Sequence, residues 1–277
     1  MDDRIEREKA FHNARFADTP ERTTIGGSCM TALTRLALAA TYNRLSDLAP
    51  GRTVLDYGCG QGVLSWVLAK NGAERIFGID ISEEAIEQAK SKMVHHGVDI
   101  ASFQVMNAEQ LEFADSSFDL VCGVGILHHL SLDTALSELA RVLKPNGTCL
   151  FLEPLGHNPI VNWYRNRTPH LRTEDEHPLL MNDITLIRTW FDRTETEFVN
   201  LATLATLPTS FIPGSKKLLK CADTLDRAMF RVLPFLRRYA WNVVLQFSCP
   251  RKPGDVVDSS DKNANRAEMD KPTLPVA

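Results

Sequence analysis

The chain has 277 residues, 44% of them hydrophobic, enough to bury a substantial core in one large domain or two small ones. A formal net charge of -4 provides no global cationic field of the kind that draws nucleic acid or an anionic membrane. No apolar run approaches the roughly 20 residues that span a bilayer, and the opening Met1-Asp2-Asp3-Arg4 has no signal-peptide pattern, so a cytoplasmic protein with no integral membrane segment is expected. Cys29, Cys59, Cys122, Cys149, Cys221 and Cys249 are scattered without a C-x-x-C pair, which predicts reduced thiols, no disulfide framework and no metal site.

Residues 4–17 are charged and helix-prone, and a second helical stretch runs from Met30 to Leu48 before the Pro50-Gly51 break. From Arg52 short apolar runs alternate with amphipathic stretches, the pattern of repeated β-α units and a parallel sheet. Thr53 to Asp56 reads as a first strand, Val63 to Lys70 as a helix and Ile76 to Asp80 as a second strand. Ser82 is a natural N-cap for the next helix, with Glu83 and Glu84 on its positive end and Ile86, Ala89 and Met93 on one face. Ser102 to Met106 and Phe118 to Gly123 give strands three and four, and Leu132, Leu136, Leu139 and Leu143 form a helical stripe. Lys144-Pro145-Asn146-Gly147 predicts a turn and Thr148 to Glu153 a fifth strand.

Beyond Glu153 the pattern loosens into a long Pro-, His- and Arg-rich loop, 154–180, of the kind that carries function. A short helix from Asp183 to Trp190, a strand from Glu195 to Leu201, a helical insertion within 208–238 and a last strand from Trp241 to Phe247 follow. Residues 251–277 are polar and predict a disordered tail. The expected organisation is therefore a helical cap (1–50), one α/β domain (51–250) and the tail.

The most informative segment is Val54-Leu55-Asp56-Tyr57-Gly58-Cys59-Gly60-Gln61-Gly62, an apolar strand running through three alternating glycines into a helix. Glycines there allow a tight turn and let a ligand lie on bare backbone beside helix N-terminal N–H groups. The third glycine comes one residue too early for the dinucleotide fingerprint G-x-G-x-x-G. Asp56 would repel a pyrophosphate and welcome a cation. Asp80 closes the second strand 18 residues after Gly62 and can accept from both hydroxyls of a ribose. Together these select an adenosyl ligand that carries positive charge and no phosphates, as S-adenosylmethionine does.

Asp56-x-Gly58-x-Gly60-x-Gly62, Asp80, Asn107-Ala108-Glu109 after the third strand, Phe118-Asp119-Leu120-Val121 opening the fourth and Arg141 to Gly147 before the fifth resemble, in order and spacing, the class I methyltransferase family over residues 52–153. The resemblance implies a seven-stranded, mostly parallel, doubly wound sheet with the last strand antiparallel. It also implies a methyltransferase that uses S-adenosylmethionine and a small-molecule acceptor. Carried over by position, Asp56, Gly58, Cys59, Gly60 and Gly62 belong to the cofactor cradle around the methionine end. Asp80 holds the ribose, Ile81 packs on adenine, Asn107 and Ala108 meet the adenine edge, and Gly123 lines the sulfonium end.

Asn107 stands where the family often has aspartate, so its contact lacks charge assistance. The His128-His129 pair follows the fourth strand near the expected position of the methyl group, and His129 is the candidate catalytic residue, able to take a proton near neutral pH. Adjacent histidines are not an i, i+4 metal pair. Tyr164, His170, Arg172 and His177 in the long loop are candidate acceptor contacts, opposed by Glu174, Asp175 and Glu176, which can simply pair with the arginines. Phe11, His12 and Phe16 could close over the pocket.

Lys216 to Arg238 carries seven basic residues against two acids with an apolar stripe, either a helix packed on its own domain or a weak contact with an anionic membrane surface. Two other functions stay open: a non-catalytic adenosyl-ligand module and a nicotinamide-dependent oxidoreductase, the second disfavoured by the glycine spacing.

Overall fold

A computed structural model describes residues 3–17, 28–209 and 215–251. Two N-terminal helices, α1 (Asp3–Ala17) and α2 (Ser28–Leu48), precede the strands β1 (Thr53–Tyr57), β2 (Arg75–Asp80), β3 (Ala101–Val105) and β4 (Phe118–Val124). Helices α3 (Val63–Lys70), α4 (Glu83–His95) and α5 (Leu132–Val142) alternate with them. Then come β5 (Leu143–Pro154), α6 (Pro159–Arg167), α7 (Met181–Trp190), β6 (Phe191–Val199), α8 (Ser215–Val232) and β7 (Asn242–Pro250). The sheet runs β3-β2-β1-β4-β5-β7-β6, with β7 antiparallel to both neighbours, which is the expected seven-stranded α/β architecture with its helical insertion before the last strand.

Burial explains the sequence pattern. β1 and β4 are covered on both faces, so Val54, Leu55, Leu120 and Val121 are all excluded from solvent and the strands read as apolar runs rather than alternations. In α4, Ser82 Oγ accepts from Ala85 N at 3.2 Å, and Ala85, Ile86, Ala89 and Met93 form the buried face.

Two expectations are corrected. The loop after β5 contains α6, because Asn158 caps it by accepting from Ile160 N at 3.0 Å and Val161 N at 3.2 Å while Pro159 takes the first turn. The Lys144 to Gly147 turn lies inside β5 rather than before it. Leu143 pairs with Phe118 and Thr148 with Leu120, so the turn residues bulge out of a continuous strand. Most of the expected tail lies outside the described residues, as do positions 210–214 of the insertion.

The order of strands reverses between β1 and β4, whose carboxyl ends therefore flank a crevice where open α/β sheets take their ligands.

Candidate functional site

A cavity of about 560 Å³ opens at that crevice, a volume typical of small-molecule sites. Of the predicted site residues, Asp56, Gly58, Cys59, Gly60, Asp80, Ile81, Asn107, Ala108 and His129 line it. Gly62 and Gly123 are not among the lining residues. Gly62, at φ 72°, begins α3 with Ala89 Cβ 3.0 Å from where its own Cβ would be, and Gly123 leaves room inside the sheet for Tyr57 O. Both glycines serve packing behind the cavity, and Val124 and Gly125 reach its wall instead.

The loop after β1 is held against β2 by two bonds: Cys59 N donates to Ile79 O at 2.8 Å and Gly60 N to Asp80 Oδ2 at 2.9 Å. Asp80 Oδ1 accepts from Ser82 N at 3.0 Å, so the carboxylate is aimed by backbone at both ends and keeps lone pairs for a ligand. Asp56 is fully enclosed. Ser65 Oγ donates to its Oδ2 at 2.5 Å, while Oδ1 is buried without a hydrogen-bond partner. Burial raises its pKa to about 7 despite the Ser65 bond. Burial also pushes the Cys59 thiol far up, so Cys59 offers backbone rather than a thiolate. Asn107 spends its amide oxygen on Glu109 N at 2.9 Å in a local turn.

At the other end of the crevice the His128-His129 pair forms a 3₁₀ turn at Leu127–His129, and both rings are buried. Glu153, at the end of β5 and wholly inaccessible, accepts from Ile126 N at 3.0 Å, Leu127 N at 2.9 Å and His128 Nδ1 at 2.7 Å. His129 Nδ1 lies 3.3 Å from Glu8 Oε2, which is also 3.4 Å from His12 Nε2. Burial lowers the His129 pKa. Burial raises that of Glu8, but bonds from His12, His129 and Thr173 outweigh it and hold the carboxyl well below the ordinary range.

α1 lies over the cavity, with His12 and Phe16 in its wall; Phe11 packs edge-on against His12. It is fastened by polar contacts: both Glu109 oxygens accept from Arg4 at 2.6 and 2.7 Å, Asp175 accepts twice from Arg7 at 3.0 Å, and Phe16 O accepts from Gln88 at 3.0 Å. Of the loop candidates, Tyr164 and Arg172 reach the cavity, whereas His170 and His177 are exposed and do not. Glu176 pairs with Arg165 and approaches Arg172 at 3.7 Å, so acids of the loop do neutralise its arginines.

Sequence reasoning missed Glu8, Arg165 and Glu176 as parts of this wall, and Glu153 as the buried anchor of the His128 turn behind it. Only Glu8 left a signal, its i, i+4 spacing to His12 on a helical stretch.

Residues 55–151 match the family model described as a methyltransferase domain. The methyltransferase GfsG of Streptomyces halstedii is 37% identical over 109 residues, which cover 38% of this chain and 38% of that protein. The 2-methyl-6-phytyl-1,4-hydroquinone methyltransferase of Synechocystis sp. is 41% identical over 110 residues, covering 39% of this chain and 34% of that protein. The chain thus spans well under half the length of these relatives. Among solved structures, the geranyl diphosphate C-methyltransferase of Streptomyces coelicolor A3(2), in complex with Mg2+, geranyl diphosphate and S-adenosyl-L-homocysteine, aligns at a TM-score of 0.58 and 16% identity, covering 90% of this chain and 97% of that one.

Proposed function

We propose that this chain, whose residues 55–151 match a methyltransferase domain, is a class I methyltransferase that transfers a methyl group from S-adenosylmethionine to a small and largely apolar acceptor. The observation that carries the reading is Asp56, a carboxylate buried at the end of β1 with one oxygen unpartnered beside the glycine loop. An unmatched buried acceptor costs about 1–3 kcal/mol, and an ammonium donor cancels that cost.

In this reading Asp56 accepts from the amino-acid end of the cofactor, with the backbone of Gly58 to Gly60 alongside. Asp80 accepts from the ribose hydroxyls, Ile81 packs on the adenine, and Asn107 and Ala108 border its edge. Bound S-adenosylmethionine supplies an electrophilic methyl on a sulfonium. The chain's own contribution is alignment and exclusion of water, which supply most of the rate of a displacement at carbon. α1 covers the crevice, Leu38, Tyr42, Leu152, Val161 and Trp241 give the acceptor an apolar wall, and Tyr164 and Arg172 offer it polar anchors. His129 is the group assigned to act on the acceptor's proton.

Calorimetry with S-adenosylhomocysteine and with NAD, followed by turnover on a panel of phenols, quinols and prenyl compounds, tests the reading. Binding of S-adenosylhomocysteine but not NAD, together with methyl transfer, supports it; absence of S-adenosylhomocysteine binding at millimolar concentration overturns it. Binding without any turnover favours the non-catalytic module.

A peripheral membrane contact through α8 belongs to the same proposal. No helix among the described residues is long and apolar enough to cross a membrane. Leu218, Leu225 and Val232, seven residues apart on one helical face, are exposed, as are Leu233 and Phe235 just beyond. Lys217, Lys220 and Arg231 share the helix. Such a face suits the surface of anionic lipid. Sedimentation with anionic vesicles, lost in Leu225→Glu and absent with neutral vesicles, is the expected result.

A further inference from the structure

We propose that Glu8, His12 and His129 form a binding site for a divalent transition-metal ion at the covered end of the cavity. Glu8 and His12 stand one turn apart on α1, so both side chains leave the same face. The turn after β4 brings His129 to them from 121 residues away in the chain.

Glu8 Oε2 is 3.3 Å from His129 Nδ1 and 3.4 Å from His12 Nε2, and the three donor atoms lie within 4.8 Å of one another. Bonds of about 2.0–2.2 Å to a tetrahedral ion set neighbouring donors roughly 3.3–3.5 Å apart. The two measured edges already have that length.

Glu8 is 5% exposed and His129 9% exposed, and Glu8 Oε2 and His129 Nδ1 approach at ion-pair distance without a well-formed hydrogen bond between them. A buried carboxylate facing two imidazole nitrogens at this separation is a donor set that a cation can take in place of the long contacts. The other Glu8 oxygen accepts from Thr173 Oγ1, which orients the carboxylate and leaves Oε2 free to ligate.

Two imidazoles and one carboxylate suit a borderline ion such as Zn²⁺, Co²⁺ or Fe²⁺ rather than Mg²⁺ or Ca²⁺, which take oxygen ligands. His128 and Glu176 lie close to His129, but Glu153 holds His128 Nδ1 and Arg165 holds Glu176, so they are not the primary ligands. Because all three ligands line the cavity, the open coordination position faces it and can take an oxygen of the acceptor. That last step alone rests on the methyl-transfer reading, and with the ion bound the metal, rather than His129, activates the acceptor's oxygen; the site itself does not rest on it.

The test uses the full chain, stripped with a chelator, titrated with Zn²⁺ against a chromophoric competitor and with Co²⁺ by visible absorption. One ion per chain with intense Co²⁺ d–d bands is expected. His12→Ala and Glu8→Gln should each weaken binding at least tenfold and abolish the bands. A His95→Ala/His96→Ala variant, which removes an exposed edge-to-face pair, should bind as the parent does. Absence of Co²⁺ bands, or binding that survives in His12→Ala or is lost only in the His95/His96 variant, overturns the site. Circular dichroism checks the variants; should Glu8→Gln unfold, the partly exposed His12 decides. S-adenosylhomocysteine affinity of the stripped protein, measured beside this, separates failure of the metal site from failure of the proposed function.

Discussion

Ser65 Oγ donates to Asp56 Oδ2 at 2.5 Å, and Asp56 Oδ1, equally buried, faces no donor at all. One side of this carboxyl is completed by the fold, and the other is the one proposed to take the cofactor's ammonium. Burial lifts its pKa to about 7 from an ordinary value of 3.8.

The folded chain therefore keeps on Asp56 a proton that the unfolded chain releases between pH 4 and 7. The stability this provides is complete below pH 4 and fades as pH rises to 7. Relative to Asp56→Asn, whose side chain does not titrate, the parent should lose stability across that window, read from denaturant midpoints at each pH. S-adenosylhomocysteine affinity should rise from pH 6 to 8 in the parent and stay flat in the variant. A parallel pH profile in both proteins would disprove the assignment.

Asp80→Ala should weaken S-adenosylhomocysteine by at least about 1 kcal/mol, since a hydrogen-bonded carboxylate is lost. It also frees Gly60 N and Ser82 N. Asp80→Asn keeps one acceptor oxygen and should lose less. Calorimetry on both variants checks the order; equal affinity in Asp80→Ala and parent would contradict the ribose contact.

Glu153→Leu should cost at least about 3 kcal/mol of stability, because three donors converge on a carboxylate inside the protein and each is left unpaired. Glu153→Gln retains an acceptor and should cost less. Urea midpoints at constant slope measure both.

Gly58→Ala should destabilise the apo protein by about 1–3 kcal/mol. Gly58 sits at φ 73° and a Cβ there would meet Ile126 Cγ1 at 2.8 Å. The thermal midpoint should fall, and S-adenosylhomocysteine binding should fall further because the same loop forms the proposed cradle. A variant as stable as the parent would show that the loop relaxes freely.

What could be read from the residues alone was whatever depends on neighbours along the chain. The apolar runs of β1 and β4, the Ser82 cap and the stripe of α4 announce their elements because pairing period and capping act over a few residues. Asp56, Gly58, Gly60 and Asp80 were legible as a site because the crevice is made by consecutive strand ends with fixed spacing. Asn158-Pro159 carried a helix-start signal, but the helix it opens is only nine residues long and has no extended apolar stripe.

Tertiary structure alone decided that Gly62 and Gly123 pack behind the cavity, and that Glu153 anchors the His128 turn. It also carried Glu8 on α1 to His129, and sent Tyr164 and Arg172 into the wall while leaving His170 and His177 outside. These placements come from segments closing over one another, and a buried carboxylate finds its donors by proximity in space, for which spacing along the chain carries no signal.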